Sequence, residues 1–322
     1  MSKKQITIII PLFNRESLIL ETLQSIQAQT SKEWKCIVVD DGSTDNTEEL
    51  LNRYVSNDDR FIFTKRPESK PKGANACRNY GLELSKGQFV NWFDSDDIMH
   101  TNKLELQLKV LKSNPESPYC ICLSKWFDKE TNTDLGLRSK SIDSKKRLED
   151  YCLYNIFWLT TAPLWRRDFI INNQLSFDEN LHQSQEYDFH IKALAVSDRY
   201  AIVKEPLLTL IKHKEAISSN IYTNVKIKSN IKVKQEVTKK YLDNFSSSGK
   251  LKWLEIITLY FKSLLLHKRN KFANEIKAIL FEALDKAEVS SRKKISFKTK
   301  INFALISYRL TGKGYNLVRP LS

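Results

Sequence analysis

Gly87–Asp97 reads GQFVNWFDSDD. Phe89–Phe93 is a short, largely apolar run of buried-strand length, and it stops at Asp94-Ser95-Asp96-Asp97. Carboxylates crowded at a strand end repel one another, so a cation is the natural compensator. Oxygen-only ligands suit Mg2+ or Mn2+ better than zinc. Upstream, the same grammar repeats. Ile6–Ile10 is a β-branched strand closed by Pro11, and Asn14 is expected to cap a helix running to about Gln29. Trp34–Val39 is a second strand, ending in the turn Asp40-Asp41-Gly42-Ser43-Thr44-Asp45, where Ser43 or Thr44 caps a helix to about Tyr54. Phe61–Thr64 is a third strand. Lys70–Gly73 is a loop, and Ala74–Leu84 is a helix that Gly87 closes. Thr101 caps a further helix to about Leu111. This alternation predicts an α/β fold, a mostly parallel, Rossmann-like sheet flanked by helices.

In such sheets ligands bind at the carboxyl ends of the strands. Two acidic turns land there, at Asp40-Asp41 and Asp94–Asp97. Helix capping is the plainer reading of these acids. It suits Asp97, but two such clusters at strand ends exceed what capping needs.

After Pro115 the pattern is mixed. Tyr119–Phe127 reads as a strand, Tyr151–Leu164 is aromatic and irregular, and Tyr187–Val196 reads as a helix. Ala201–Val203 and Leu207–Ile211 read as strands. From about Val225 the chain is helical and rich in lysine.

The whole chain carries a formal +14, and residues 222–322 alone hold 22 Lys/Arg against 7 Asp/Glu, a net of +15. The first 221 residues are therefore close to neutral, at −1. This places a boundary between a near-neutral part, 1–221, and a basic helical region, 222–322, with different duties. Within the first part, the change of pattern after Pro115 separates about 1–115 from about 116–221.

Cys36, Cys77, Cys120, Cys122 and Cys152 are odd in number and show no CxxC pair, so reduced, buried thiols and a cytoplasmic setting are expected. No apolar run approaches the ~18 residues of a membrane span. The basic region leaves two readings open. One is peripheral attachment to an anionic membrane surface, and the other is a solvated helical cap. No recognised motif for nucleic acid accompanies the charge.

Five stretches, Ile6–Asn14 (ITIIIPLFN), Asp40–Thr47 (DDGSTDNT), Gly73–Gly81 (GANACRNYG), Gly87–Asp97 and the region Phe177–Leu194, resemble glycosyltransferase family 2 in order and spacing. The resemblance covers roughly residues 5 to 215. It implies the GT-A fold and an inverting enzyme that uses Mn2+ or Mg2+ and a nucleotide-sugar, with UDP the favoured nucleotide. The acceptor would be a glycan or a polyprenyl-diphosphate-linked glycan, in surface polysaccharide synthesis.

Residue by residue, the resemblance gives Asp40 and Asp41 to the base and ribose, and Pro11, Phe13 and Arg15 to a loop bordering the nucleotide. Arg78 faces the phosphates, where a guanidinium binds in bidentate fashion. Asp94 and Asp96 are the outer acids of the DXD motif. Asp96 ligates the metal, and Asp94 with Ser95 contacts the ribose or metal. The family's acidic pair falls at Gln185-Glu186-Tyr187-Asp188, where Glu186 stands in the place usually held by Asp. Glu186 is the expected general base, with Asp188 as the second choice. His213 matches a position where some relatives place a metal-side histidine. Trp158, Thr160, Thr161 and Trp165 are expected to border the acceptor, because aromatic faces stack on sugars.

Two other functions would suit parts of the pattern. A sugar nucleotidyltransferase of similar fold would carry a glycine- and Lys/Arg-rich first loop, whereas here that loop is Pro11-Leu12-Phe13-Asn14. A catalytically inactive nucleotide-sugar-binding protein would not need Asp94, Asp96 and Glu186 together.

Overall fold

A computed structural model describes residues 5–212 and 222–321. β1 (Ile6–Leu12) leads into α1 (Ile19–Gln27), β2 (Trp34–Asp40) into α2 (Thr47–Val55), and β3 (Phe61–Lys65) into α3 (Ala74–Leu84). Then come β4 (Phe89–Trp92), the short β5 (Ile98–Met99) and α4 (Lys103–Ser113). Beyond them lie β6 (Tyr119–Asp128), β7 (Thr133–Leu137), α5 (Arg147–Cys152), β8 (Leu164–Arg166), α6 (Arg167–Asn172), α7 (Gln185–Val196) and β9 (Ala201–Lys212). The chain ends in α8 (Asn224–Lys240), α9 (Ser247–Leu266), α10 (Ala273–Lys286) and α11 (Ser291–Thr311).

Among the described residues the strands form one sheet in the order β3-β2-β1-β4-β8-β6-β9-β5, with β7 paired to β6. The pairs β1–β2, β2–β3, β1–β4 and β6–β9 are parallel, while β8 and β5 run antiparallel to their neighbours. β1 is buried along its whole length, which is why it reads as a continuous apolar run rather than an alternating one. The register sets Leu12 opposite Asp40 and Ile9 opposite Trp92. The two acidic turns therefore leave the sheet side by side.

Two glycines make this geometry possible. A methyl group at Gly81 would collide with the Ile9 side chain, so the missing Cβ lets α3 lie close on β1 and brings Arg78 to the strand ends. A Cβ at Gly87 would meet the Thr7 backbone nitrogen at 2.8 Å, where β4 enters beside β1. Gly87 thus serves this approach; α3 itself closes at Ser85.

The expected caps are not used as caps. Asn14 has φ 49°, and its side-chain oxygen accepts from the Thr44 amide at 2.8 Å. Ser43 is drawn to Asp40, and α2 begins only at Thr47. Thr101 lends its carbonyl to the Thr30 amide, and Asn102 precedes α4 without a side-chain cap bond. The two short strands expected after Ala201 are one, β9, with register shifts against β6 around Leu123.

The chain divides into two compact units. One comprises Met1–Leu148, Asn155–Leu181 and Gln185–Ile217, and the other Glu149–Tyr154, His182–Ser184 and Ser218–Ser322. In the second unit, Trp253, Ile257, Phe261, Leu264, Ile276, Leu280 and Leu284 form buried helix faces. There Trp253 Nε1 donates to Thr238 Oγ1 at 2.9 Å. All five cysteines are buried free thiols, and burial pushes those of Cys77 and Cys120 up to about 12. Among the described residues no helix is long and apolar enough to cross a membrane.

Candidate active site

The turn after β4 gathers charge. Asp94 and Asp96 are partly exposed, Ser95 is buried, and Asp97 is buried at 6% exposure. Burial, followed by the Asp94 and Asp96 carboxylates, raises the Asp97 carboxyl well above the usual range. Asp97 does not cap a helix. Its Oδ1 accepts from the Ile211 amide at 3.3 Å and its carbonyl from Thr22 Oγ1 at 2.9 Å, tying the turn to β9 and α1.

Two arginines answer the acids. Arg78, on α3, donates from one terminal nitrogen to Asp94 Oδ1 at 2.9 Å and from the other to Asn75 Oδ1 at 3.3 Å. Its guanidinium carbon lies 5.3 Å from the Phe177 ring centre. Arg15, in the loop after β1, approaches Asp96 to 3.8 Å. The Nε atoms of both arginines are buried and make no hydrogen bond. Each arginine thus keeps a donor that no acceptor of the protein satisfies.

At the neighbouring strand ends, Asp40 is 2% exposed and accepts from the Ser43 amide at 3.1 Å. Asp41 pairs with the Arg66 side chain, which also donates to the Pro67 and Lys70 carbonyls. The loop after β1 is laced onto the Asp40–Thr47 turn. Asn14 N donates to Ser43 Oγ at 2.9 Å, Arg15 N to Thr47 Oγ1 at 3.0 Å and Glu16 N to Asp45 Oδ2 at 3.2 Å. Pro11 is buried at the end of β1, whereas Phe13 stands 44% exposed.

Glu186 lies in the first turn of α7, where a helix favours a carboxylate. Its Oε2 accepts from the Thr160 amide at 3.2 Å and lies 3.5 Å from Thr160 Oγ1. Burial, and then the Asp94 carboxylate, pushes its pKa up to about 7. Asp188 is differently placed, buried and ion-paired with Lys192 at 2.6 Å.

The loop presenting Thr160 is pinned from below. Asn91 Nδ2, in β4, donates to the Thr161 carbonyl at 3.2 Å and the Pro163 carbonyl at 2.7 Å. Gln107 Nε2, in α4, donates to the Ala162 carbonyl at 2.8 Å. Lys103, fully buried and with its pKa lowered by burial to about 8, donates to Asn91 Oδ1 at 3.3 Å.

Two expectations are corrected. Trp158 and Trp165 are 1% and 0% exposed, so neither ring offers a face to a sugar. Trp165 lies against Tyr119, Phe169 and His190, and Trp158 against Tyr200 and His190. Thr160 and Thr161 are also buried, and Thr160 acts through its amide on Glu186. His213 lies outside the described residues. The anchors Asn91, Lys103, Gln107 and Arg66 were missed. One signal was available, since an amide inside an apolar strand, as in FVNWF, needs buried partners.

The glycosyl transferase family 2 model matches residues 7–172. The chain belongs to this family. A glycosyltransferase of Methanocaldococcus jannaschii, itself uncharacterized, is 28% identical over 210 residues, 65% of this chain and 71% of that protein. One of Haemophilus influenzae, also uncharacterized, is 28% identical over 242 residues, 73% of this chain and 90% of that protein. The structure of S. aureus TarS 1-349 in complex with UDP-GlcNAc matches with a TM-score of 0.68 at 18% identity, over 98% of this chain and 89% of that one. The chain spans about half (53%) of a longer TarS chain and 15% of a longer relative from Rickettsia bellii. The protein is thus a family 2 glycosyltransferase with the GT-A fold and a helical C-terminal region, and the acidic turns stand where its sheet delivers ligands.

Proposed function

We propose that this glycosyltransferase moves a sugar, with inversion, from a UDP-linked donor to a hydroxyl of a glycan or lipid-linked glycan in surface polysaccharide synthesis. One observation carries the reading. Glu186 is held on the Thr160 amide in the field of Asp94, and Arg78 grips that same Asp94. A base and a phosphate clamp therefore share one small site in the catalytic part, 1–221. The UDP-GlcNAc bound in the TarS structure, on a shared fold, supports the choice of donor.

In this reading Asp40 and Asp41 face the nucleoside beside Pro11 and Phe13, and Arg78 and Arg15 hold the diphosphate. Among the described residues no three His, Cys, Asp or Glu side chains form a ready-made metal site. Mn2+ or Mg2+ does not require such a cluster, since it takes one or two carboxylates and completes its shell with water and substrate phosphates. Asp96 and Asp94 would hold the ion, with His213 a further candidate ligand, and a cation there would offset the neighbouring carboxylates that, after burial, raise Asp97. When bound, the ion offsets the negative charge growing on the leaving diphosphate. Glu186 takes the proton of the acceptor hydroxyl. That oxygen forms its bond to the anomeric carbon from the face opposite the diphosphate, which departs with the electron pair of the broken C–O bond. A screen of UDP- and GDP-sugars, scored by release of nucleoside diphosphate, tests the donor. UDP-sugars with Mn2+ are expected to turn over, and no metal-dependent binding or release with any donor would sink the reading.

The C-terminal region supports a membrane partner. α11 exposes Ile295, Phe303, Ile306 and Leu310 (67%, 61%, 54% and 80%), which fall on one helical face, and Arg292, Lys293, Lys300 and Arg309 lie around them. Near anionic lipid each Lys or Arg contributes about 1 kcal/mol. A second copy of the same face would instead set like charges together. The full chain is expected to sediment with phosphatidylglycerol vesicles and not with phosphatidylcholine vesicles, and Leu310→Glu should weaken this severalfold. Equal binding to both lipids would remove the membrane reading.

A further inference from the structure

We infer that the acceptor carries an anionic group, phosphate or carboxylate, which Arg138 holds beside the hydroxyl that receives the sugar. The inference rests on Glu186 being the acceptor-side base. Arg138 directly follows β7, and its amide donates to the Ser124 carbonyl in β6 at 2.8 Å. Its guanidinium carbon stands 5.6 Å from the Trp126 ring centre and 5.2 Å from that of Phe157. Phe157 belongs to the same loop as Thr160, whose amide holds Glu186. The guanidinium is therefore held against the loop whose Thr160 amide carries the acceptor-side base, and its charge is felt at the Glu186 carboxylate.

Among the described residues Arg138 has no ionic partner, and unlike Arg166 and Arg167, whose Nε atoms donate to the Ser117 carbonyl and Ser85 Oγ, its buried Nε has no acceptor either. Arg60, Arg66, Arg78 and Arg147 each pair with an aspartate, namely Asp58, Asp41, Asp94 and Asp143. Among the described residues Arg138 has no carboxylate within ion-pair distance, and its buried Nε makes no hydrogen bond. A guanidinium packed against two rings keeps its faces dry and offers its edge donors to a planar or tetrahedral oxyanion. Two such donors match a phosphate or carboxylate in bidentate fashion. The site thus has a cation for the diphosphate, Arg78, already neutralised by Asp94, and a second cation still open on the acceptor side. A neutral sugar would leave Arg138 and its buried N–H uncompensated.

The test uses the full chain saturated with UDP and Mn2+, so that the donor's phosphate positions are filled. Methyl phosphate, methyl glucuronide and neutral methyl glucoside are then titrated by calorimetry. The wild-type protein is expected to bind an anionic probe at least tenfold more tightly than the glucoside. Preference for methyl phosphate identifies a phosphate-bearing acceptor, and preference for the glucuronide an acidic sugar. Arg138→Gln should erase the preference while binding UDP as the wild type does, which also shows that the variant is folded. Arg138→Lys should retain part of it, keeping the charge but not the fork. No anionic preference in the wild type, or an undiminished one in Arg138→Gln, overturns the inference. Should the wild type bind no UDP, the donor reading fails. The same titrations without UDP still decide Arg138, because only its own role makes the preference vanish in Arg138→Gln.

Discussion

Asp96→Ala is expected to abolish metal-dependent donor binding while leaving the fold intact. The wild type with UDP and Mn2+ at about a hundred times Kd should gain about 2.7 kcal/mol of stability by mass action, enough to raise Tm by several degrees. In Asp96→Ala that gain should vanish, and turnover should fall on the order of 10^3-fold, about 4 kcal/mol of barrier. The variant itself should be no less stable than the wild type when neither ligand is present. The contact of Asp96 with Arg15, at 3.8 Å and partly exposed, contributes little. Its removal also takes one like charge away from Asp97, whose carboxyl is raised partly by Asp96. Thermal shift with and without UDP and Mn2+ separates the outcomes. A metal-dependent shift equal to wild type in Asp96→Ala would remove Asp96 from the donor site, and a ligand-free Tm that collapses would mean its role is structural.

What could be read from the sequence was what depends on strand ends. Buried parallel strands are continuous apolar runs, so Ile6–Ile10, Trp34–Val39 and Phe89–Phe93 located themselves, and the acids that follow two of them had to meet at one edge. The caps were misread for a reason that no local pattern contains. Asn14, Ser43 and Thr44 are recruited to bind loops together across the strand ends, so they are unavailable to the helices beside them. Trp158 and Trp165 were misassigned because an aromatic residue looks the same in sequence whether it meets a sugar or another ring, and only β8's place between β4 and β6 encloses Trp165. Arg138 was invisible for a related reason. Its distinction is a missing partner, which is a property of three-dimensional surroundings rather than of spacing.

Glu186→Gln is expected to keep UDP binding within about twofold and to lose transfer by roughly 10^2- to 10^4-fold, the range for a general base. The amide is isosteric and can still accept from the Thr160 amide, so α7 and its loop should hold their places. The fold should not suffer, and the sign can be worked out. The carboxyl's folded pKa, about 7, lies above its ordinary 4.5, so between those values the folded state binds more protons than the unfolded one. Stability therefore falls as pH rises from 4.5 to 7, and the loss persists above. Glutamine removes that penalty, so near pH 8 the variant should be at least as stable as the wild type. In the wild type, kcat/KM should rise about tenfold per pH unit below 7 and level off above it, because it follows the ionised base of the free enzyme. In Glu186→Gln that limb should flatten. Asp188→Asn supplies the contrast. It removes the charge of a buried carboxylate paired with the partly exposed Lys192, so it should lower stability while sparing kcat in the molecules that remain folded. Full activity in Glu186→Gln, together with a folded but inactive Asp188→Asn, would transfer the base to Asp188. If both variants transfer normally, the acceptor proton leaves by another route.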